Sequence, residues 1–309
     1  MPRSPMPQAG SYARVLLGTD FTAGAEAAAD RAALLPLAPR AEIKLLHVLP
    51  RRREPELRRL ERDEAQRRLK REAARLSAAL RRRGARAARV RTVLALGEPS
   101  VEIVGRSAGS DLVVVGRQGE RRFRDLMLGT TAERVIRRAA APVLVVRRPA
   151  RGPYRHPLAA VDLSAASRSV LEEATRMAGR SARALDLTHA YQTPYDSILL
   201  RVAPPEGVAA YHRRCRADAR ASVAAQVEAA GIASEVDVVV LRRGDPRTTV
   251  LSVARSRGSD LIAVGTHGRT GLGRTLLGSV AEGIVRHAPA DVLVVRPRRL
   301  ATPAPRRGR

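Results

Sequence analysis

The sequence has a single cysteine, Cys215, no tryptophan, and only two lysines, Lys44 and Lys70, among its 309 residues. One cysteine permits no internal disulfide, which excludes an oxidised extracellular scaffold. Aromatic residues make up 2% of the chain. The core must therefore come from Val, Leu, Ile and Ala, a palette that suits a parallel sheet buried on both faces. No apolar run approaches the length of a bilayer span, and Met1 to Gly10 is polar and proline-rich with no apolar stretch. The expectation is a soluble, cytoplasmic protein with no membrane partner. The formal net charge is +27. Nearly all the basic residues are arginines scattered along the whole chain, with few aromatics that could stack bases. That argues for a compositional bias and nonspecific attraction to polyanions, with no specific nucleic-acid partner.

Catalytic signatures are missing too. There is no G-x-S-x-G elbow and no P-loop ending in GK-S/T. No His/Cys/Asp/Glu spacing resembles a metal site. His47 and His189 stand at strand ends, where packing or hydrogen bonding suffices, and Cys215 in AYHRRCRADA reads as a buried or idle thiol. Asp111 and Asp260 follow Gly-Ser before a strand, where turn or capping roles suffice.

What is present is an internal repeat. YARVLLGTDFT from Tyr12 resembles YRHPLAAVDLS from Tyr154, an offset of 142 residues, and LLHVLP around His47 matches LTHAYQ around His189. GEPS at Gly97 answers GDPR at Gly244, and GSDLVVVG ending at Gly116 answers GSDLIAVG ending at Gly265. APVLVVRRP from Ala141 pairs with ADVLVVRPR from Ala290, an offset of 149. Order is kept throughout, so a whole domain is duplicated. The expected domains are 11–149 and 154–298, with flexible tails at 1–10 and 299–309 and a Pro/Gly/Arg joint at 148–157.

Within each copy, short apolar runs alternate with longer helical patterns. Strands are expected at 14–19, 43–48, 89–96, 112–115 and 143–146, and again at 158–161, 185–189, 236–241, 261–264 and 292–295. Leu57, Leu60, Leu69, Leu76 and Leu80 fall largely on one face of an Arg/Glu-rich helix whose charged back is solvated. Such alternation gives an α/β fold, two tandem five-stranded open parallel sheets of Rossmann-like kind. Ligands then bind outside the carboxyl ends of the strands, at the switch point of strand order.

The sharpest chemical signal follows the fourth strand of copy two, GTHGRTGLGRTLLGS from Gly265 to Ser279. Gly265 and Gly268 let the backbone turn tightly and approach a ligand closely. Gly278 and Ser279 sit where a helix starts before Val280, so free N–H groups and the positive end of the helix dipole converge there. The Ser279 hydroxyl adds a donor, and Arg269 and Arg274 add charge. A phosphate chain is the ligand these groups jointly suit.

The spacing G-x2-G-x9-G-(S/T) resembles that of the universal stress protein family. Copy one repeats it at Gly116, Gly119 and Gly129-Thr130. GTD and AVD at the first strand ends and PVLVV and DVLVV as closing strands add to a likeness that runs across essentially the whole chain. The resemblance implies a tandem pair of adenine-nucleotide-binding domains related by a pseudo-two-fold axis. It implies that Asp20 and Asp162 hold a ribose, with Thr19, Phe21, Val161 and Leu163 beside them. It places the base on main chain at Val48 and Ala190, and the phosphates of ATP, with the Mg²⁺ they carry, on Gly265, Thr266, His267, Gly268, Arg269, Gly278, Ser279 and Val280. In copy one the phosphate positions are Gly116, Arg117, Gly119, Gly129 and Thr130. There Arg117 and Gln118 replace the usual small hydroxyl residue and His, and Glu120 stands where copy two has Arg269. Copy two therefore ranks as the better site.

With no nucleophile placed beside a base, the expected function is a stress-response sensor or regulatory binding protein. It is not an enzyme beyond slow, incidental ATP hydrolysis. Strands 143–146 and 292–295 resemble the family's dimer-forming edge and are expected to pair within the chain as a pseudo-dimer, with further homodimerisation open. The rival readings are a stress interaction protein of the same fold that binds no nucleotide, a nucleotide-using enzyme such as a nucleotidyl transferase, and a charge-driven nucleic-acid binder.

Overall fold

The computed structural model describes residues 11–51, 54–117, 130–179, 184–266 and 277–297. The first half runs β1 Tyr12–Gly18, α1 Ala23–Ala32, β2 Leu37–Leu49, α2 Pro55–Arg82, β3 Arg89–Leu96, α3 Pro99–Ser107, β4 Leu112–Gly116, α4 Thr130–Arg138 and β5 Val143–Val146. The second runs β6 Pro157–Ala160, α5 Ala166–Ala178, β7 Leu185–Tyr191, α6 Asp196–Val202, α7 Pro205–Ala230, β8 Val236–Arg243, α8 Pro246–Ser256, β9 Leu261–Gly265, α9 Ser279–His287 and β10 Asp291–Val295. All ten expected strands are present, and the helices between them start where local chemistry favours it. Proline opens α2, α3, α7 and α8, where its missing N–H costs nothing. The Thr22 hydroxyl accepts from Ala25 N at the start of α1, and the Asp245 carboxylate accepts from Thr248 N at the start of α8.

The ten strands form one sheet in the order β3-β2-β1-β4-β5-β10-β9-β6-β7-β8. Every neighbouring pair is parallel except β5 and β10, which run antiparallel with Leu144 opposite Leu293. Alternating side chains feed two cores. Val15, Leu17 and Val114 join the core shared by α1, α2, α5 and α7, while Leu16, Val113 and Val115 join the one shared by α3, α4, α8 and α9. Each core runs through both halves. Of the five leucines expected on one face of α2, Leu69, Leu76 and Leu80 are buried, but Leu57 and Leu60 are exposed. The first turns of that 28-residue helix offer their leucines to solvent because the sheet lies under its later turns only.

The antiparallel seam is tied reciprocally. The Arg147 guanidinium, just after β5, donates to the carbonyl of Val285 in α9 at 2.7 Å. Arg296, its counterpart after β10, reaches the carbonyl of Ile136 in α4 at 3.5 Å. Each cation thus sits at the negative end of the other half's last helix. Asp111 accepts from the N–H groups of Ala13 and Arg14, and Asp260 from those of Arg155 and His156. These carboxylates satisfy the entry of β1 and of β6 in the same way.

Candidate functional site

In each half the strand order reverses between the first and fourth strands, and the carboxyl ends of such strands are where a crevice opens in an α/β sheet. In the N-terminal half this crevice is a cavity of about 210 Å³. Thr19, Asp20, Val48, Gly116 and Arg117 line it, together with His47, Thr22, Ala25, Pro99, Thr131 and Ala132. Five of the residues expected in copy one are therefore brought together. Phe21 is not among them: its ring lies against His47 at 4.3 Å and under the Arg68 guanidinium at 4.4 Å, outside the cavity. Thr130 begins α4 beside the lining residue Thr131. Gly119 and Gly129 lie outside the described residues.

Three helices begin at this cavity. Thr22 and Ala25 mark the start of α1, Pro99 the start of α3, and Thr131 and Ala132 the start of α4. Ala25 N is already capped by Thr22, so it is the positive dipole ends of the three helices that suit the cavity to an anion. Sequence spacing pointed only to α4. Thr22 carried a readable signal as an N-cap hydroxyl, whereas Pro99 and Ala25 join the site only through the fold.

Glycine at 116 is required by contact. A Cβ there would overlap the carbonyl oxygen and carbon of Gly24 in α1 and press on the Ala25 nitrogen at 2.8 Å. The strand end and the helix start meet backbone to backbone, and Gly18 is closed in by Ile103 at 3.3 Å.

The carboxylates at the first strand ends are held alike in both halves. Asp20 Oδ1 accepts from the Thr22 N–H at 3.1 Å and from its hydroxyl at 2.6 Å. Asp162 Oδ1 accepts from the Ser164 N–H at 3.0 Å, its hydroxyl at 2.6 Å and the Ser167 hydroxyl at 2.8 Å. The second oxygen of Asp162, Oδ2, is buried without a hydrogen-bond partner among the described residues. An orphaned carboxylate oxygen is costly unless a donor reaches it, and a sugar hydroxyl is such a donor. Phe21 and Leu163, directly after these aspartates, both take left-handed backbone conformations, with φ of 62° and 63°. That shared turn brings the chain off the strand.

His47 Nδ1 lies 2.8 Å from the Thr19 carbonyl, and His189 Nδ1 lies 2.8 Å from the Val161 carbonyl. A carbonyl only accepts, so each ring donates from Nδ1. Burial lowers the His47 pKa, opposed by the Thr19 carbonyl. Both histidines are hydrogen-bonding residues of the first-strand turn.

In the C-terminal half, Val161 and Asp162 follow β6, Ala190 stands in β7, and Gly265 ends β9, at the carboxyl ends of three adjacent strands. Thr266 is buried, its N–H bonded to the Val295 carbonyl at 2.9 Å and its own carbonyl accepting from Gly278 N at 2.8 Å. That second bond ties the end of β9 to the start of α9, where Gly278 is the N-cap and Ser279 and Val280 open the helix. His267, Gly268 and Arg269 lie outside the described residues. No cluster of three His, Cys, Asp or Glu side chains able to hold a metal occurs among the described residues. Magnesium would therefore depend on oxygen ligands from a phosphate chain. No helix there is long and apolar enough to cross a membrane.

The universal stress protein family model matches the chain twice, at residues 11–147 and 153–296. A universal stress protein of Mycobacterium bovis is 32% identical over 199 residues, 62% of this chain and 61% of that relative. A putative universal stress protein of Staphylococcus epidermidis is 51% identical over 57 residues, 18% of this chain and 34% of its own length. The match thus spans about a third of that relative. The crystal structure of a universal stress protein from Archaeoglobus fulgidus superposes with a TM-score of 0.66 at 20% identity, covering 94% of this chain and 99% of that one. That likeness is one of fold.

Proposed function

This chain belongs to the universal stress protein family, and from that premise we propose that it binds ATP, with the Mg²⁺ the phosphates carry, and works as a stress-response sensor or regulatory binding protein. The observation that carries the reading is the convergence of three helix starts on one cavity beside Asp20. Helix N-termini favour the phosphates, and a carboxylate beside them favours a sugar hydroxyl or a phosphate-bound cation. Val48 in the N-terminal half and Ala190 in the C-terminal half would offer main chain to the base. Gly278, Ser279 and Val280 would take the phosphates in the second site, with His267, Gly268 and Arg269. The buried, unpaired Asp162 Oδ2 supports the C-terminal site.

Nothing beside the N-terminal cavity or the C-terminal strand ends pairs a nucleophile with a base among the described residues, so the proposal is a binding protein and not a dedicated enzyme. The proposed location is the cytoplasm. The β5–β10 pairing supports a further reading, that one chain is its own dimer.

The test is to purify the protein, denature it and identify any released nucleotide. ATP is then titrated against wild type, Asp20→Ala and Asp162→Ala. Losing one charge-assisted hydrogen bond should weaken the affected site by about tenfold or more, since each about 1.4 kcal/mol is tenfold. A wild type that neither carries nor binds ATP at millimolar concentration would leave the non-nucleotide interaction protein as the reading.

A further inference from the structure

Two buried tyrosines lie at the seam between the halves, at equivalent positions of the repeat, and their surroundings differ. The Tyr154 hydroxyl donates to Asp291 Oδ2 at 2.7 Å within the C-terminal half. Arg31 crosses from α1 of the N-terminal half, its guanidinium 3.9 Å over the Tyr154 ring and its Nε 3.3 Å from the same Asp291 oxygen. The Tyr12 hydroxyl donates across the seam to Glu173 Oε2 in α5 at 3.0 Å, and Arg176 of that helix lies 4.0 Å over its ring. Arg176 also bonds Glu173 Oε1 at 3.3 Å and the Ser11 carbonyl at 2.6 Å. Tyr12, Tyr154, Arg31, Glu173 and Asp291 are all at most 7% exposed.

The repeat offset that equates Tyr12 with Tyr154 also equates Arg31 with Glu173 and Leu34 with Arg176. The later offset equates Pro142 with Asp291. The same place in the two halves thus carries a cation in one and an anion in the other, each facing the other half's tyrosine. Two C-terminal halves brought together through this seam would set Glu173 of a second copy against Tyr154 and Asp291. Two carboxylates would then share one buried phenol, with Arg176 of the second copy, already bonded to Glu173, as their single cation. Two N-terminal halves would set Arg31 of a second copy against Tyr12, where Pro142 supplies no carboxylate. Both like-with-like pairings bury an uncompensated charge.

We propose that Arg31 and Glu173 make the seam heterospecific, so that each half accepts the other half and rejects its own kind in a second copy of the chain. The proposal rests on the reading of the chain as its own dimer. It identifies one substitution that should change the partner. Glu173→Arg would give two C-terminal halves a complete Arg–Tyr154–Asp291 arrangement on both sides, while it removes the acceptor of Tyr12 within the chain.

The experiment compares full-length wild type, Glu173→Arg and Glu173→Ala by sedimentation over a wide concentration range. Wild type and Glu173→Ala should keep the monomer mass, and Glu173→Arg should approach twice that mass as concentration rises. Cysteine reporters in a Cys215→Ser background check the seam directly, because positions 144 and 293 face each other and would face themselves in like-with-like pairs. Leu144→Cys with Leu293→Cys should cross-link within one chain, and either alone should give no covalent dimer. Covalent dimers of either single reporter, or equal masses for Glu173→Arg and Glu173→Ala, would overturn the proposal. A cross-link between chains in the double reporter would instead overturn the reading beneath it. Should Glu173→Arg fail to fold, the single reporters decide.

Discussion

Leu144 and Leu293 face each other across the antiparallel strand pair, and each is the other's counterpart in the repeat. The axis relating the halves therefore passes between two side chains of the same kind, both fully buried. Leu144→Ala and Leu293→Ala should cost similar amounts, about 2–5 kcal/mol each, because each opens a comparable void. Calorimetry should show one transition lowered to a similar extent in both variants. Two separated transitions would mean that the halves unfold independently.

Asp291 has the most demanding position at the seam. It accepts from Tyr154 and from the N–H groups of Arg147 and Arg148, and it faces buried Arg31. Asp291→Ala strands that arginine and those donors, and should cost about 3–5 kcal/mol. Urea unfolding midpoints measure it, with the exposed pair Arg67–Glu64 as a contrast that should move by about 1 kcal/mol at most.

Burial, and then the neighbouring charge of Glu173 or Asp291, pushes the phenols of Tyr12 and Tyr154 well above their ordinary range. The folded chain then holds these protons to higher pH than the unfolded chain, whose tyrosines titrate near about 10. Their contribution is complete below that value and is lost as pH rises past it toward the folded values. Melting temperatures should fall on the alkaline side, and Tyr12→Phe and Tyr154→Phe should each flatten that fall. An unchanged alkaline slope in both variants would refute the assignment.

How much of this was legible beforehand depended on range. Strands such as Leu112–Gly116 and Leu261–Gly265 are unbroken apolar runs because both faces of the sheet are covered, so sequence alone located them. The helix start at Ser279 followed from Gly278. Leu57 and Leu60 misled because periodicity reports which face is apolar and says nothing of where the sheet beneath it stops. In the site, Gly116 was readable from the glycine spacing and Asp20 from the family resemblance. Ala25 and Pro99 were not, since they meet the cavity only when α1 and α3 dock. Arg31 and Glu173 belong to no motif that spacing or periodicity picks out. Their role depends on contacts with partners more than a hundred residues away.

Gly116→Ala tests the backbone contact with Gly24. The methyl group forces strand and helix apart, which should cost about 1–3 kcal/mol and remove nucleotide binding from the N-terminal half only. Gly109→Ala is the control, since its nearest neighbour would lie 3.9 Å away.

Glu72 supplies a test of opposite sign. Its Oε2 accepts from the Thr19 hydroxyl at 3.0 Å, while Oε1 is buried with no hydrogen bond among the described residues. Burial raises its pKa even against that hydroxyl. The folded state therefore favours the neutral acid, an advantage present below the unfolded value near about 4.3 and lost as pH rises. Glu72→Gln keeps an acceptor for Thr19 and should raise the melting temperature at neutral pH. The gain should vanish on acidification.

The joining of β5 to β10 also changes how the assembly responds to scarcity. Two separate domains would meet only as often as their abundance allows and would come apart when diluted. Halves tethered by the short stretch between Val146 and Pro157 see each other at an effective concentration on the order of millimolar, whatever the cell contains. A chain built this way keeps its paired form at the lowest copy number.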